Sequence, residues 1–334
     1  MTEPMIIVLA HGIYGWGDEA LGGNPFTKAY FYGIGPFLRQ YCADKGIELA
    51  VVSPDVPTAA SVEERGSVLK ESIEKALSDR PAGTRAHIIA HSMGGLDARW
   101  VIAAGGLADK VASLTTLATP HRGTSVSRWA LQMLDGLTST ANTLGAVLDR
   151  FRSLGERSEF YRHVLHNVQR CTREQLQRAN AAMTQDGAAQ FNHALATAEQ
   201  AVRARTRKRV AYVSYGGACL PVLADVLHPL TLFRKLMRRS DPLNLFTASA
   251  GIIASLGTPD ERHGGNDGAV SAWSAHFPWD DAGREYARTL PVDHVMFVNW
   301  RVEQDGGASS RMEAAVVSLY REIMDRIMRV EQVR

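Results

Sequence analysis

Ala86-His87-Ile88-Ile89-Ala90-His91-Ser92-Met93-Gly94-Gly95 decides how this chain is read. Its first half is a continuous apolar run, the pattern of a strand buried on both faces. It leads directly into a serine flanked by small residues. A helical pattern over 93–104 follows and is closed by Gly105-Gly106. A serine on so sharp a strand-to-helix turn is held in a strained backbone conformation that lifts its hydroxyl above the sheet. The residues two before and two after it must be small so that strand and helix can approach, and the next amide, that of Met93, points at the reaction centre from a helix N-terminus. The usual form of such a turn is Gly-x-Ser-x-Gly; here Ala90 takes the place of the first glycine. Ser92 is therefore the candidate nucleophile, the alternative being an ordinary N-cap serine.

Outward from this turn, 5–9, 49–52 and 111–117 read as further buried strands rich in Val, Ile and Leu. The pattern over 61–77 reads as a helix, with Ser61 as N-cap, Glu64 three residues on, and Val62, Val68, Leu69, Ile73 and Leu77 on one face. Strands alternating with helices predict a mostly parallel central sheet flanked by helices, an α/β fold. Beyond Thr124 the texture changes, because 125–151 and 173–205 are long helical patterns with no strand between them. The sheet is expected to resume at 210–215, and an amphipathic helix covers 311–329. This predicts one α/β domain over 1–334 carrying a helical insertion at about 125–208, a lid or cap. Val126, Trp129, Ala130, Met133, Leu134 and Leu137, then Leu144, Val147, Leu148 and Phe151, give the insertion apolar faces. Packing against the domain and an acyl-pocket wall both account for them.

Composition excludes several classes. With 334 residues, 45% hydrophobic and 22% charged, the chain can bury a large core. Its 37 Lys and Arg against 35 Asp and Glu leave a formal charge of +2, so there is no summed field to attract nucleic acid. The basic runs at 203–209 and 234–239 read as a solvated helix end and loop. The three Cys show no metal-ligand spacing and make no disulfide scaffold. Apolar runs are too short for a membrane span. The start has no basic leader segment, so a cytoplasmic location is expected, or secretion if the chain has been trimmed.

A hydroxyl nucleophile needs a base, and its tetrahedral product needs an anion site. The first strand ends in His11-Gly12-Ile13-Tyr14-Gly15-Trp16-Gly17, whose glycines let the Ile13 amide come beside that of Met93 as an oxyanion hole. His11 reads as an anchor for this loop rather than as the base.

His11-Gly12, the segment Ile89 to Gly95 with Arg99, Leu117-Ala118-Thr119-Pro120-His121-Arg122-Gly123-Thr124 and Asn266-Asp267-Gly268-Ala269-Val270-Ser271 together resemble the bacterial true lipases, a branch of the α/β-hydrolase superfamily. The resemblance implies the α/β-hydrolase fold and a triad in the order Ser, acid, His. Asp267, in a loop before Ala269-Val270 and so expected at a strand end, then holds the tautomer of His294, the general base. An Asx-turn aspartate, Asp293 and Asp241 are the alternatives for the acid; His276, His263 and His121 are those for the base. His121 is expected in the pocket wall, and Tyr14, Trp16, Phe26 and 220–232 along a greasy cleft. Many such lipases hold calcium through an Asp two residues beyond the catalytic His. Here that position is Met296, a thioether, so no metal site of that kind is expected. The family's disulfide is not evident either.

The sequence thus predicts a serine carboxylic-ester hydrolase that needs no cofactor and acts on acylglycerols or other long-chain esters, with transient lipid-surface contact. A polyester depolymerase, an acyltransferase or thioesterase, and a non-catalytic binding protein remain as alternatives. Oligomeric state is not legible.

Overall fold

Six strands, β1 (Met5–Ala10), β2 (Leu49–Val52), β3 (Ala86–His91), β4 (Val111–Leu117), β5 (Ala211–Gly217) and β6 (Glu285–Leu290), form one sheet in the order β2-β1-β3-β4-β5-β6. Every pairing is parallel. The computed structural model describes residues 5–18, 29–136, 159–218, 265–279, 285–300, 312 and 314–332. Its helices are α1 (Ile34–Ala43), α2 (Val62–Ser78), α3 (Gly94–Ala103), α4 (Ser125–Gly136), α5 (Glu159–Arg170), α6 (Arg173–Ala182), α7 (Gln185–Arg203), the short α8 (Ala272–Ala275) and α9 (Ala314–Gln332).

Side chains alternate across a strand, and β1 shows the consequence directly. Met5, Ile7 and Leu9 pack with Ile34 and Leu38 of α1 and with Leu319, Ile323 and Met324 of α9. Ile6, Val8 and Ala10 pack on the opposite face with Leu69 and Ile73 of α2 and Val101 and Ile102 of α3. The predicted mostly parallel sheet covered on both faces is what is observed. Because β1 lies between β2 and β3, the chain leaves β1 for α1 on one face and β3 for α3 on the other. Loops that diverge in this way open a crevice at the carboxyl ends of the two strands, the usual ligand position in such sheets.

Local signals explain the boundaries. Helix α2 opens with the expected capping box: Glu64 N donates to Ser61 Oγ at 3.3 Å and Ser61 N to Glu64 Oε2 at 2.9 Å. The pattern expected to run unbroken over 173–205 is in fact two helices. Thr184 interrupts it by accepting a hydrogen bond from Gly187 N at 3.0 Å, which starts α7 afresh. Helices α1, α5 and α8 and strand β6 were not foreseen. Among the described residues β6 is an edge strand with Ala287, Arg288 and Thr289 exposed, so it lacks the apolar run that marks its neighbours. The sheet resumes at Ala211–Gly217, close to the expected 210–215.

Phe26, Leu137, Leu144, Val147, Leu148, Phe151, Cys219, 220–232, 234–239, Asp241 and His263 lie outside the described residues. No helix among the described residues is long and apolar enough to cross a membrane.

Leu69 is fully buried between α2 and the sheet. Leu69→Ala is expected to lower unfolding stability by about 2–5 kcal/mol in urea titrations, against about 1 kcal/mol for the exposed cap variant Ser61→Ala.

Candidate active site

The turn after β3 has the strained geometry read from the sequence. Ser92 sits at φ 53°, a left-handed conformation that a residue with a Cβ rarely adopts. Ser92 N donates to Leu117 O at 2.9 Å, which ties the turn to the end of β4. Helix α3 then passes so close to the end of β1 that a Cβ at Gly94 would lie 2.6 Å from Ala10 O and 2.7 Å from His11 O. A small residue two positions after the serine is therefore a requirement of backbone approach.

Two peptide N–H groups near this turn are without partners among the described residues. Among the described residues neither the Ile13 amide nor the Met93 amide makes a hydrogen bond, although Tyr14 N donates to Thr58 O at 2.8 Å and Gly15 N to Gly12 O at 3.2 Å. The loop carrying Ile13 runs against the serine, since a Cβ on Gly12 would come within 2.8 Å of Ser92 Cβ. His11 takes the anchoring position expected of it. Its ring is buried, Nδ1 donates to Gly12 O at 2.8 Å, and burial beside the Arg65 guanidinium pushes its pKa down to about 3.

Asp267 is fully buried in a tight turn against the carboxyl end of β5, its Cβ only 2.6 Å from where a Cβ on Gly217 would lie. Ala269 and Val270 belong to the turn itself, closed by an isolated bridge between Asn266 and Ser271. Oδ1 accepts from Ala269 N at 2.9 Å and Val270 N at 2.7 Å, while Oδ2 lies 2.9 Å from His294 Nδ1. The aspartate is thus at once an Asx-turn residue and the partner of an imidazole. A carboxylate on Nδ1 makes that nitrogen the donor and leaves Nε2 with its lone pair. His294 N also donates to Asp267 O at 2.9 Å, so backbone and side chain are held together. Asp293, the neighbouring alternative, is occupied otherwise: its Oδ1 accepts from Val295 N and Met296 N, and burial pushes its pKa up to about 6.

His91, beside the serine, joins the two halves. Tyr30 Oη donates to His91 Nδ1 at 2.7 Å, His91 Nε2 donates to His294 O at 2.8 Å, and the two imidazoles lie 4.6 Å apart. Among the described residues the Ser92 hydroxyl makes no hydrogen bond; the serine–imidazole bond of a catalytic pair commonly closes only with substrate in place.

Arg65 went unnoticed in the sequence, although it lies on the apolar stripe of α2 with Val62, Leu69 and Ile73. It is fully buried, pairs with Asp97 of α3 at 2.9 Å, and donates to the carbonyls of His11 at 2.8 Å and Pro57. A longer contact reaches Gly12 O at 3.4 Å. In a trans peptide the C=O and N–H point opposite ways, so the groups holding Gly12 O also aim the Ile13 amide. Burial pushes the Asp97 carboxyl up to about 7 against the pull of Arg65.

The expected pocket residues fall differently. Tyr14, at φ 60°, packs with Ile13 against Met93, Leu96, Leu176 and Met183, and its hydroxyl accepts from Asn180 at 3.0 Å. Trp16 is buried among the rings of Tyr30, His163 and Trp300. His121 is fully buried, with Nδ1 at 3.3 Å from Arg99, Nε2 at 3.1 Å from Thr116 Oγ1 and its ring against Phe277. Trp16 and His121 are interior packing rather than cleft wall, a correction whose cause is the dense aromatic and ionic packing around both. Arg99 in turn holds Glu199 of α7 through two bonds of 2.8 and 2.9 Å, and Trp279 Nε1 donates to the same carboxylate at 3.0 Å. Met296 lies in the turn capped by Asp293, and among the described residues no group of three or more His, Cys, Asp or Glu is placed to hold a metal ion.

Comparison with known proteins bears on the fold. A family profile described as the PGAP1-like alpha/beta domain matches residues 58–203. Triacylglycerol lipase 2 of Saccharomyces cerevisiae is 31% identical over 132 residues, 36% of this chain and 38% of that protein. A triacylglycerol lipase of Pseudarthrobacter phenanthrenivorans is 31% identical over 142 residues, 40% of each chain. The chain thus spans about two fifths of the length of the curated relatives it matches. The crystal structure of lipase 1 from Pelosinus fermentans superposes with a TM-score of 0.58 at 18% identity, over 98% of this chain and 99% of that one. The chain has the α/β-hydrolase fold, and its sequence similarity lies with the lipase branch of that fold.

Replacing Arg65 with Met leaves Asp97 buried and unpaired and frees the carbonyls beneath the loop. Denaturant titration should register a loss of about 3–5 kcal/mol. Burial also holds the pKa values of His11, His91, His121 and His276 below the ordinary imidazole value. Each takes up a proton on unfolding below pH 6.5, which weakens the folded state as pH falls. The raised carboxyls of Asp97 and Asp293 act in the opposite sense but are fewer. The unfolding free energy from urea titrations should therefore drop between pH 7.5 and 5.5, by about 1.4 kcal/mol per pH unit for each net proton.

Proposed function

We infer that this chain is a serine carboxylic-ester hydrolase acting on acylglycerols or other long-chain esters. The observation that carries the reading is the pair of buried Asp267 and half-buried His294, tied through His91 to a positive-φ serine near two unbonded amides. In this reading Ser92 Oγ attacks the ester carbonyl carbon while His294 Nε2 takes the hydroxyl proton. The carbonyl oxygen becomes an anion held by the N–H groups of Ile13 and Met93. Collapse of the tetrahedral intermediate breaks the bond to the alcohol, which leaves with the proton from His294. Water, deprotonated by the same imidazole, then releases the acid from Ser92. Asp267 keeps Nδ1 protonated and stabilises the imidazolium, without accepting the proton itself. None of these steps calls on a cofactor.

An acyl chain is favoured because the surroundings of the two amides are apolar: Met93, Leu96, Leu134, Leu176 and Met183 cluster there with Ile13 and Tyr14. The similarity to triacylglycerol lipases supports the same substrate class. A cytoplasmic location is supported by Cys42 and Cys171, both of which carry free thiols.

Hydrolysis of p-nitrophenyl esters from acetyl to palmitoyl tests the reading. Activity should peak at long acyl chains and fall by about 10⁴-fold or more in Ser92→Ala and by about 10⁴-fold in Asp267→Asn, with wild-type melting temperatures. Activity that survives in Ser92→Ala would sink the mechanism. A preference for acetyl esters would sink the long-chain substrate.

A further inference from the structure

Beyond the residues of the reaction itself, we propose that Asn167, on α5 of the insertion, is a positioning residue for the oxyanion site. The insertion then completes the catalytic apparatus in addition to covering it; this rests on the ester-hydrolase reading above. Asn167 Nδ2 lies 3.1 Å from Tyr14 O and 3.2 Å from Gly15 O. An amide nitrogen carries two hydrogens, so it can serve both carbonyls at once. The flipped rotamer would set Oδ1 against two carbonyl oxygens, which fixes the assignment chemically.

The two carbonyls are those of the one strained residue of the loop, Tyr14, and of the residue that follows it. Tyr14, at φ 60°, directly follows Ile13, whose amide is one of the two oxyanion donors in the reading above. The loop is held from beneath by Arg65 on His11 O and by Thr58 O on Tyr14 N. Beyond Tyr14 the core domain offers Thr58 Oγ1 to Gly15 O at a long 3.4 Å, and its next hold is Asp55 Oδ1 on Gly17 N at 3.0 Å. Asn167 therefore supplies the shorter bond to Gly15 O and the bond to Tyr14 O, the two carbonyls nearest the strained residue, and Asn180 of α6 adds its contact to the Tyr14 hydroxyl. An oxyanion donor works only when its N–H is already aimed at the place where charge develops.

The platform that carries Asn167 is itself braced. His163, one turn before it, stacks its ring 4.7 Å from that of Trp16, and Val168 joins the apolar cluster around Ile13. Thr124 N donates to Met183 O at 2.7 Å, and the Arg99–Glu199 pair locks α7 to the helix that follows the serine. Two insertion helices, α5 and α6, thus hold a loop near the start of the sequence, while α7 is fastened to α3.

The test compares Asn167→Ala and the isosteric Asn167→Asp, which cannot donate to a carbonyl, with wild type and with His166→Ala on the exposed side of α5. The readouts are kcat and KM for the best p-nitrophenyl ester, the rate of fluorophosphonate labelling of Ser92, and the melting temperature. Both Asn167 variants should lose about ten- to a hundredfold in kcat and a similar factor in labelling rate, with KM changed less than about twofold and melting nearly unchanged. His166→Ala should match wild type. Variants of Asn167 with kcat within about twofold of an active wild type overturn the proposal, as does a fall in kcat fully accounted for by a lower folded fraction. A wild type that turns over no ester, or an active Ser92→Ala, overturns the ester-hydrolase reading instead.

Discussion

A guanidinium taken out of water must have every hydrogen answered, and the arrangement around Arg65 follows from that demand. Its partners come from three separate places: the carboxylate of Asp97 on the helix after the serine, the carbonyls of His11 and Gly12 after β1, and the carbonyl of Pro57 before α2. Satisfying one cation therefore fixes the relative positions of the serine helix and the loop that must approach it. The pair gains little over an apolar replacement of both partners, since desolvation offsets most of the attraction. What it supplies is registry, because a shift of either segment would strand a buried charge.

Registry matters here because the sheet provides only the general location. The reversal of strand order at β1 and β3 opens a crevice between loops that leave for opposite faces. Within that crevice the catalytic reading needs two amides, a hydroxyl and an imidazole aligned to within fractions of an ångström. Each is supported by a group that does no chemistry: Leu117 O for the Ser92 backbone, Tyr30 through His91 for the His294 loop, and the Asx-turn amides for Asp267. The strain at Ser92 and Tyr14 persists because these supports outnumber the conformations that would relieve it.

The parts of this design that rest on local pattern were legible in the sequence. The run 86–95 gave strand, turn and helix, Ser61 with Glu64 gave a helix start, and alternating apolar segments gave a two-sided sheet. Asp267 and His294 followed only from the resemblance to lipases, since nothing in their spacing brings them together. Residues whose meaning depends on distant partners were misread or missed. Trp16 and His121 looked like cleft residues because an aromatic or imidazole beside a motif carries no mark of being packed. Arg65 did carry a mark, a charge on the buried stripe of an amphipathic helix, whereas Asn167 and Asn180 are ordinary helix polar residues until their carbonyl and hydroxyl partners are known. Strand β6 was missed because an edge strand does not need the apolar run that identifies a central one.

The distribution of these supports along the chain has a consequence for biosynthesis. The loop at 11–17 emerges from the ribosome early, yet its contacts reach to Pro57, Asn167 and Asn180, and the imidazole loop that His91 holds comes only at His294. Closing such wide sequence separations is slow and entropically opposed. A nascent chain can assemble β1, β2 and β3 with α1, α2 and α3 while the loop beside Ser92 still lacks its upper clamp. On the catalytic reading proposed above, the nucleophile is thus made long before it is armed, and a ribosome-bound fragment carries the serine without the means to use it.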